Sequence, residues 1–226
     1  MYYFDSTFTL VIIAMVISLL ASIYVKATFK KYSKIPVSTG LTGVDTARRI
    51  LCKEGLNNVQ IFRVRGSLTD HYDPRNRSVS LSDPVCNVSS ISAVSVAAHE
   101  CGHAQQHGNG YIPLLIRKAL VPVTSICSVA AWPIVIIGLF IGATPFIQLG
   151  IYAYTAVVGF HLITLPVEFN ASKRGLRSIE NCGILNSEEM KGARRVLRAA
   201  ALTYVASALA SVLSLLRLVM IANRRR

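Results

Sequence analysis

Long runs without charged residues dominate the pattern of apolar and polar positions along this chain. The first covers residues 6–25, and the second covers residues 119–167, where 49 consecutive positions hold no Asp, Glu, Lys or Arg. As a helix, the first run would extend about 30 Å, which matches the hydrocarbon core of a bilayer. The second run is too long for a single crossing. The pattern therefore predicts a mainly α membrane protein with several transmembrane helices.

Turn-forming residues divide the second apolar run. Gly142-Ala143-Thr144-Pro145 lies near its middle, which predicts a helical hairpin of residues 119–141 and 146–167. A last apolar run, residues 199–216, ends at Arg217. We therefore expect about four transmembrane helices, and the sequence is compatible both with a last helix that crosses fully and with one that does not.

The first apolar run fits either a cleaved signal peptide or an uncleaved anchor. A signal peptide has a basic start and a small-residue cleavage site. Here Asp5 precedes the run, and no such site lies ahead of the basic cluster Lys26 to Lys34. These features favour an uncleaved anchor.

Basic residues lie at one end of every predicted span. By the positive-inside tendency that side is the cytoplasm, and the turn at 142–145 lies outside. The tail Arg224–Arg226 would then also lie outside, so either the last helix does not cross or the upstream charges outweigh the tail. The clusters are Lys26, Lys30, Lys31 and Lys34; Arg117 and Lys118; Lys173, Arg174 and Arg177; and Arg194, Arg195 and Arg198.

Composition agrees with a membrane protein. Hydrophobic residues make up 52% of the 226 positions and charged residues only 15%, which is outside the usual range of soluble domains. A net charge of +13 can indicate nucleic-acid binding, but here the charges flank apolar spans, where they contact anionic headgroups and set topology. We therefore expect the bilayer as a partner and no nucleic acid. Five cysteines without CxxC spacing favour a reducing compartment over a disulfide framework.

The segment between the first two spans has the pattern of a small soluble α+β domain. A helix is predicted from Thr42, its cap, to Gly55. Strands are predicted at residues 59–64 and 77–82, and residues 70–76 between them are rich in turn formers. We expect the second strand at the edge of the sheet, where an extended peptide can pair with it.

A second soluble helix carries the chemistry. It is predicted to begin at Ser89 or Ser90 and to end at Gly108-Asn109-Gly110. It contains His99-Glu100-Cys101-Gly102-His103, the HExxH pattern of zinc peptidases.

The spacing of this motif suits a metal centre. His99 and His103 are four residues apart and share one helix face, where each imidazole can give one nitrogen to a zinc ion. Glu100 is placed to act as the general base on a water molecule. Cys101 points away from that face and is interpreted as a packing residue, whereas Gly102 lets another element approach closely.

A catalytic zinc site needs a third protein ligand. His107 continues the four-residue series, but a third residue on one straight helix cannot close a tetrahedral face. His161 and Glu168 share a face of the third predicted span, and His161 is interpreted first as a buried polar residue. Glu168 is the preferred ligand, because a carboxylate at the membrane boundary is costly without a compensating cation. The alternative interpretation of Glu168 is a surface residue whose carboxylate extends into water.

Three stretches together resemble a known family. They are His99-Glu100-Cys101-Gly102-His103, residues 165–172 with Glu168, and residues 68–74. They are similar to the YugP-type membrane zinc metallopeptidases of bacteria, which are distantly similar to the HtpX-type membrane proteases. The resemblance implies a neutral zinc peptidase in which His99 and His103 are ligands, Glu100 is the catalytic carboxylate and Glu168 is the third ligand.

The sequence departs from the related pattern at one position. Zinc peptidases with this Glu often carry an Asp four residues later that orients a ligand histidine, and here that position holds Ser172, a weaker acceptor. Asn170, Asp70 and Asp73 are alternative partners. For the donor that stabilises the oxyanion, the candidates are His71, Tyr72 and His161, each of which also has a structural interpretation.

These observations predict a zinc metalloendopeptidase at the cytoplasmic face of a bacterial inner membrane. Its expected substrates are proteins or peptides, mainly membrane-associated ones. The alternatives are a membrane scaffold or chaperone with a structural or vestigial metal, and a small transporter. The predicted segments are a transmembrane helix at 1–25, a zincin-like cytoplasmic domain at 26–118, a transmembrane hairpin at 119–167, a cytoplasmic helix with the third ligand at 168–198, and a last span with a basic tail at 199–226.

Overall fold

The computed structural model describes residues 7–223. The start of the first predicted span at Ser6 and the basic tail Arg224–Arg226 lie outside the described residues. Within the described range, the helices are α1 (Phe8–Tyr32), α2 (Gly43–Lys53), α3 (Asp83–Cys86), α4 (Ile91–Gly108), α5 (Ile112–Ile141), α6 (Thr144–Asn181) and α7 (Ser187–Asn223). The strands are β1 (Gln60–Val64), β2 (His71–Asp73) and β3 (Ser78–Ser82).

Four helices in residues 7–223 are long and apolar enough to cross a membrane, namely α1, α5, α6 and α7. This confirms the expected number of candidate spans by length and composition. The predicted break in the long apolar run is also present, because Gly142 adopts a φ of +70° between α5 and α6. Thr144 and Pro145 belong to the first turn of α6 instead of the connection, a position where proline is tolerated.

The long helices continue beyond their apolar runs. α6 passes from apolar sequence into the segment Ala171–Leu176 and ends only at Asn181. Ala, Lys, Arg and Leu favour a helix, so the end of the uncharged run does not end the helix. Glu168 therefore lies inside a continuous helix.

The described chain forms two compact units. The first unit consists of the described parts of Met1–Ser22, Leu115–Pro166 and Thr203–Arg226. The second unit consists of Ile23–Leu114 and Val167–Leu202. The first unit contains most of the apolar runs, whereas the second contains the sheet and the HExxH helix.

Small residues let α5 and α6 pack closely in the first unit. A Cβ built on Gly150 would lie 2.3 Å from Cγ2 of Val135 and 2.9 Å from the carbonyl oxygen of Ala131. Such close packing by small residues is typical of membrane helices. The guanidinium of Arg217 lies 5.7 Å from the ring centroid of Phe8 and 5.6 Å from that of Trp132, so two aromatic faces stabilise this charge.

The first soluble helix, α2, begins as predicted. The Thr42 side chain accepts a hydrogen bond from the backbone N–H of Asp45, and the Asp45 carboxylate accepts one from the backbone N–H of Thr42. This reciprocal capping box satisfies two backbone donors at the start of the helix. Gly55, with a φ of +70°, follows the end of α2.

The sheet differs from the prediction in two respects. Its order is β1-β3-β2, with β1 parallel and β2 antiparallel to β3. The predicted second strand, β3, is therefore central and wholly buried, and the expectation that it lies at the edge was wrong. Residues His71–Asp73, which we interpreted as turn, pair with β3 as strand β2 and occupy that edge. A three-residue strand between turn formers is too short to give an alternating pattern.

The HExxH helix, α4, is central to the core of the second unit. Ser90 caps it, because its hydroxyl accepts a hydrogen bond from the N–H of Ala93, as predicted. The α4 side chains Val94, Ala97 and Cys101 are fully buried together with side chains of α2 and β3. Burial on this side leaves the opposite face of α4, which carries the histidines, free to meet α6.

Candidate metal centre

Two glycines bring α4 and α6 into backbone contact within the second unit. A Cβ on Gly102 would lie 2.2 Å from the carbonyl oxygen of Ala171, and a Cβ on Gly175 would lie 2.6 Å from the carbonyl oxygen of Ala98. Only glycine permits this approach. The predicted role of Gly102 is therefore confirmed, and the element that approaches it is α6.

This contact places Glu168 beside both motif histidines. Its Oε2 atom lies 3.3 Å from Nε2 of His99 and 3.6 Å from Nε2 of His103. One donor atom from each of the three residues lies within 4.8 Å of the other two, so the group can hold a metal ion. The side chains are largely buried, with exposed fractions of 13%, 12% and 3% for His99, His103 and Glu168.

The donor set fits zinc in both chemistry and spacing. Imidazole nitrogen and carboxylate oxygen are common zinc ligands, and with bonds of about 2.0–2.1 Å the donors of a tetrahedral site lie about 3.3 Å apart. The two distances to Glu168 are close to that value. Three protein donors leave one position for water or substrate, which is the arrangement of catalytic rather than structural zinc sites.

The second ring nitrogen of each histidine has a partner of its own. Nδ1 of His99 lies 3.1 Å from Oγ of Ser172, and Nδ1 of His103 lies 3.0 Å from Oε1 of Gln106. Bonds at Nδ1 leave Nε2 for a metal and fix the orientation of each ring. Ser172, chosen from the sequence as a possible partner, thus contacts a motif histidine.

Gln106 is a residue that sequence reasoning missed. It is fully buried, and its Nε2 donates to the carbonyl oxygen of Val167 at 2.7 Å and to Oδ1 of Asn170 at 3.1 Å. It therefore ties α4 to α6 one residue before Glu168, and it links the predicted Asn170 to His103 indirectly. Its position three residues after His103, on the same helix face, was the available signal.

Glu100 lies in a protected and strongly charged environment. Its side chain is buried, with 7% of the residue exposed. Burial raises the pKa of its carboxyl, whereas the neighbouring His99 and His103 act in the opposite direction. Burial lowers the pKa of His103, but the carboxylates of Glu168 and Glu100 and the hydrogen bond to Gln106 together outweigh it, and the net shift is upwards. A buried carboxyl beside the donor group has the environment of a general base.

Tyr72 of β2 and His107, in the last turn of α4, form a pair. The Tyr72 hydroxyl lies 2.8 Å from Nδ1 of His107, and burial raises the pKa of Tyr72, so the phenol stays protonated at neutral pH. Within residues 7–223, the group of side chains that can hold a metal ion consists of His99, His103 and Glu168 and does not include His107.

Other predicted site residues have local partners. His71 is exposed and its Nδ1 lies 2.9 Å from the carbonyl oxygen of Thr69. The Asp70 carboxylate accepts hydrogen bonds from the backbone and hydroxyl of Ser82, and Asp73 accepts from Arg75 and Asn76. His161 belongs to the first unit, where its ring lies edge-to-face with that of Phe160, and Cys101 is buried in the core of the second.

Comparisons with known proteins identify relatives of this chain. The chain is 50% identical over 212 residues to "Putative membrane protease YugP" of Bacillus subtilis (strain 168), which covers 94% of each chain. No solved structure matches it. A family model described as "Putative neutral zinc metallopeptidase" matches residues 7–223. The resemblance seen in the motifs is thereby confirmed, and the chain belongs to this family of zinc metallopeptidases.

Proposed function

We propose that this protein is a zinc-dependent endopeptidase whose metal is held by His99, His103 and Glu168. The observation that carries the proposal is the convergence of these three donors, from two helices, at separations suited to one tetrahedral ion. The HExxH helix, packed on a small sheet, gives the second unit a zincin-like arrangement. Ser172 and Gln106 support the site by holding the two rings at Nδ1.

The side chains of this chain would perform the remaining chemistry. A bound zinc would supply a Lewis acid for the scissile carbonyl and lower the pKa of its water towards about 7. Glu100 would accept the proton of the attacking water and return it to the leaving amine. The buried setting of Glu100 keeps competing solvent away from that proton transfer.

We further propose that the site faces the cytoplasm of a bacterial inner membrane. Glu168 is the first charged residue after the uncharged run 119–167, so the metal centre belongs to the boundary of a membrane helix. The basic clusters that flank the apolar runs support the cytoplasmic side by the positive-inside tendency. The expected substrates are membrane proteins with cytoplasmic segments or misfolded chains at that surface.

Replacing Glu100 by Gln tests the peptidase proposal. A peptidase keeps stoichiometric zinc in Glu100→Gln and loses about 10²–10⁴-fold in hydrolysis of a membrane-tethered reporter, because only the proton carrier is removed. Glu188→Gln, an exposed position on α7, is the matched control and should keep full activity. Cleavage at background level in both wild type and Glu100→Gln would favour the scaffold alternative.

Metal analysis of Glu168→Ala tests the third ligand. Purified wild type should contain one zinc per chain, and Glu168→Ala should lose most of it because only the two imidazoles remain. A Glu168→Ala variant with full zinc content would contradict the ligand set.

Faster cleavage of a soluble reporter than of a membrane-tethered one would contradict the proposed substrate class.

A further inference from the structure

A basic groove lies beside the metal centre, within the second unit. It has a volume of about 670 Å³ and is formed by α6 and α7 together with Tyr24 of α1. Four exposed cationic side chains line it, whereas Glu180 is the one acid in its lining. In the part of the chain that the structure describes, none of the four forms a salt bridge. They are Lys173, Arg177, Arg194 and Arg198.

The same groove also presents apolar surface. Phe169 and Leu202 line it and are 50% and 46% exposed, and the buried Leu197 lies between the α7 cations in sequence. Phe169 follows the end of the uncharged run 119–167, and Leu202 lies inside the last apolar run. A small free anion would use only the cations of such a groove. A ligand with an anionic head and a hydrocarbon chain would use both surfaces.

We propose that this groove binds an anionic phospholipid of the surrounding membrane. Its phosphate would lie among the cations of α6 and α7, and its acyl chain would lie along Phe169 and Leu202. Basic pockets between membrane helices at the cytoplasmic side attract such headgroups. Four cations against one carboxylate provide the charge complementarity for a phosphate.

The groove is connected to the metal centre through the side chain of Ser172. Ser172 lines the groove, and its hydroxyl lies 3.1 Å from Nδ1 of His99. A bound lipid would therefore contact the residue that orients this histidine. This consequence rests on the proposed function, whereas binding of the lipid does not.

Lipid binding is tested on the full-length, detergent-purified Glu100→Gln variant, so that it does not depend on hydrolysis. Native mass spectrometry would titrate dioleoyl phosphatidylglycerol against dioleoyl phosphatidylcholine. We expect one saturable phosphatidylglycerol site with clear preference over phosphatidylcholine. Because each juxtamembrane cation contributes about fivefold in affinity, Arg177→Gln/Arg194→Gln should weaken that site about 30-fold.

Two further variants separate the groove from general electrostatics and from misfolding. Lys173→Gln/Arg198→Gln removes the other two groove cations and should give the same loss. Lys26→Gln/Lys30→Gln removes two exposed juxtamembrane charges outside the groove lining and should leave the affinity unchanged. Zinc content and the thermal transition should match those of the parent in each variant.

Four results would overturn the proposal. They are equal binding of the two lipids, unchanged affinity in both groove variants, an equal loss in Lys26→Gln/Lys30→Gln, and full displacement of the lipid by an equal concentration of inorganic phosphate. Absence of lipid binding with saturable binding of a poly-glutamate peptide would assign the groove to an acidic protein segment instead.

Discussion

Gly102 of α4 and Ala171 of α6 are in backbone contact, so close that a Cβ on Gly102 would lie 2.2 Å from the Ala171 carbonyl oxygen. Gly175 of α6 makes the reverse contact, because a Cβ on Gly175 would lie 2.6 Å from the carbonyl oxygen of Ala98 on α4. The separation of the motif histidines from Glu168 is therefore set by the absence of two side chains. The metal centre depends on helix packing as much as on its donors.

Replacing Gly102 by Ala should disrupt the site without touching a ligand. The added methyl would clash with a backbone carbonyl, and because backbone cannot move aside like a flexible side chain, α6 must shift. We expect loss of zinc and of hydrolysis, and a stability loss of about 1–3 kcal/mol. Metal analysis and thermal unfolding measure these effects.

Gly159→Ala is the matched control on α6. A Cβ at Gly159 would meet no atom within 4 Å, so zinc content should stay at the wild-type level. Alanine also favours a helix by about 1 kcal/mol over glycine. Full zinc content in Gly102→Ala would contradict the packing argument.

Gln106 should act as a positioning residue for His103. Gln106→Met removes the partner of Nδ1, and we expect zinc to bind about 10–100-fold more weakly. Gln105→Met is the control, since Gln105 is also buried and bonds to α6 through Ser178, whereas the Nδ1 partners of the motif histidines are Ser172 and Gln106. Competition with a chelator measures the zinc affinity. Equal losses in the two variants would indicate a structural role only.

The sequence predicted the parts of the fold that depend on local pattern. The caps Thr42 and Ser90, the glycine at 142 and the four apolar runs each have a short-range signal, and all are present. Glu168 could also be chosen from the sequence, because an isolated carboxylate after 49 uncharged positions is costly without a partner.

Features that depend on packing could not be predicted in the same way. The central position of β3 follows from its pairing with both β1 and β2. All five residues of β3 are buried, whereas an edge strand was expected to alternate between buried and exposed side chains. Gln106 was missed because the candidate partners of a ligand histidine were Ser172, Asn170, Asp70 and Asp73, none of which lies on the HExxH helix itself. An amide that accepts from a ring and donates to a backbone carbonyl 61 residues away becomes visible only when α4 and α6 are together.

The capping box of α2 gives a prediction about stability and pH. Thr42→Ala should destabilise the second unit by about 1 kcal/mol. The hydrogen bond from the Thr42 side chain lowers the pKa of Asp45. A carboxyl with a lowered folded-state pKa stabilises the fold above its unfolded pKa of about 3.9, and this contribution is lost as the pH falls through the folded-state value.

Chemical denaturation at pH 7 and at acidic pH measures this effect. The gap in stability between wild type and Thr42→Ala should be full at pH 7 and should narrow in acid, as Asp45 becomes protonated. Asp45→Asn should remove most of the pH dependence of that gap. A gap that widened in acid would contradict the assignment of the capping box.

Substitutions at Ser172 should change zinc affinity in opposite directions. Ser172→Ala removes the partner of Nδ1 of His99 and should weaken zinc binding about tenfold. Ser172→Asp supplies a carboxylate, which accepts a hydrogen bond from Nδ1 more strongly and makes Nε2 a better donor to the metal. This variant should therefore bind zinc more tightly.

Chelator competition gives the affinities, and the ¹⁵N shifts of His99 report its tautomer. Ser178→Ala, on the same helix but bonded to Gln105 and Glu54, should leave both readouts unchanged. Weaker zinc binding in both Ser172 variants would show that the hydroxyl acts through packing and not by orienting the ring.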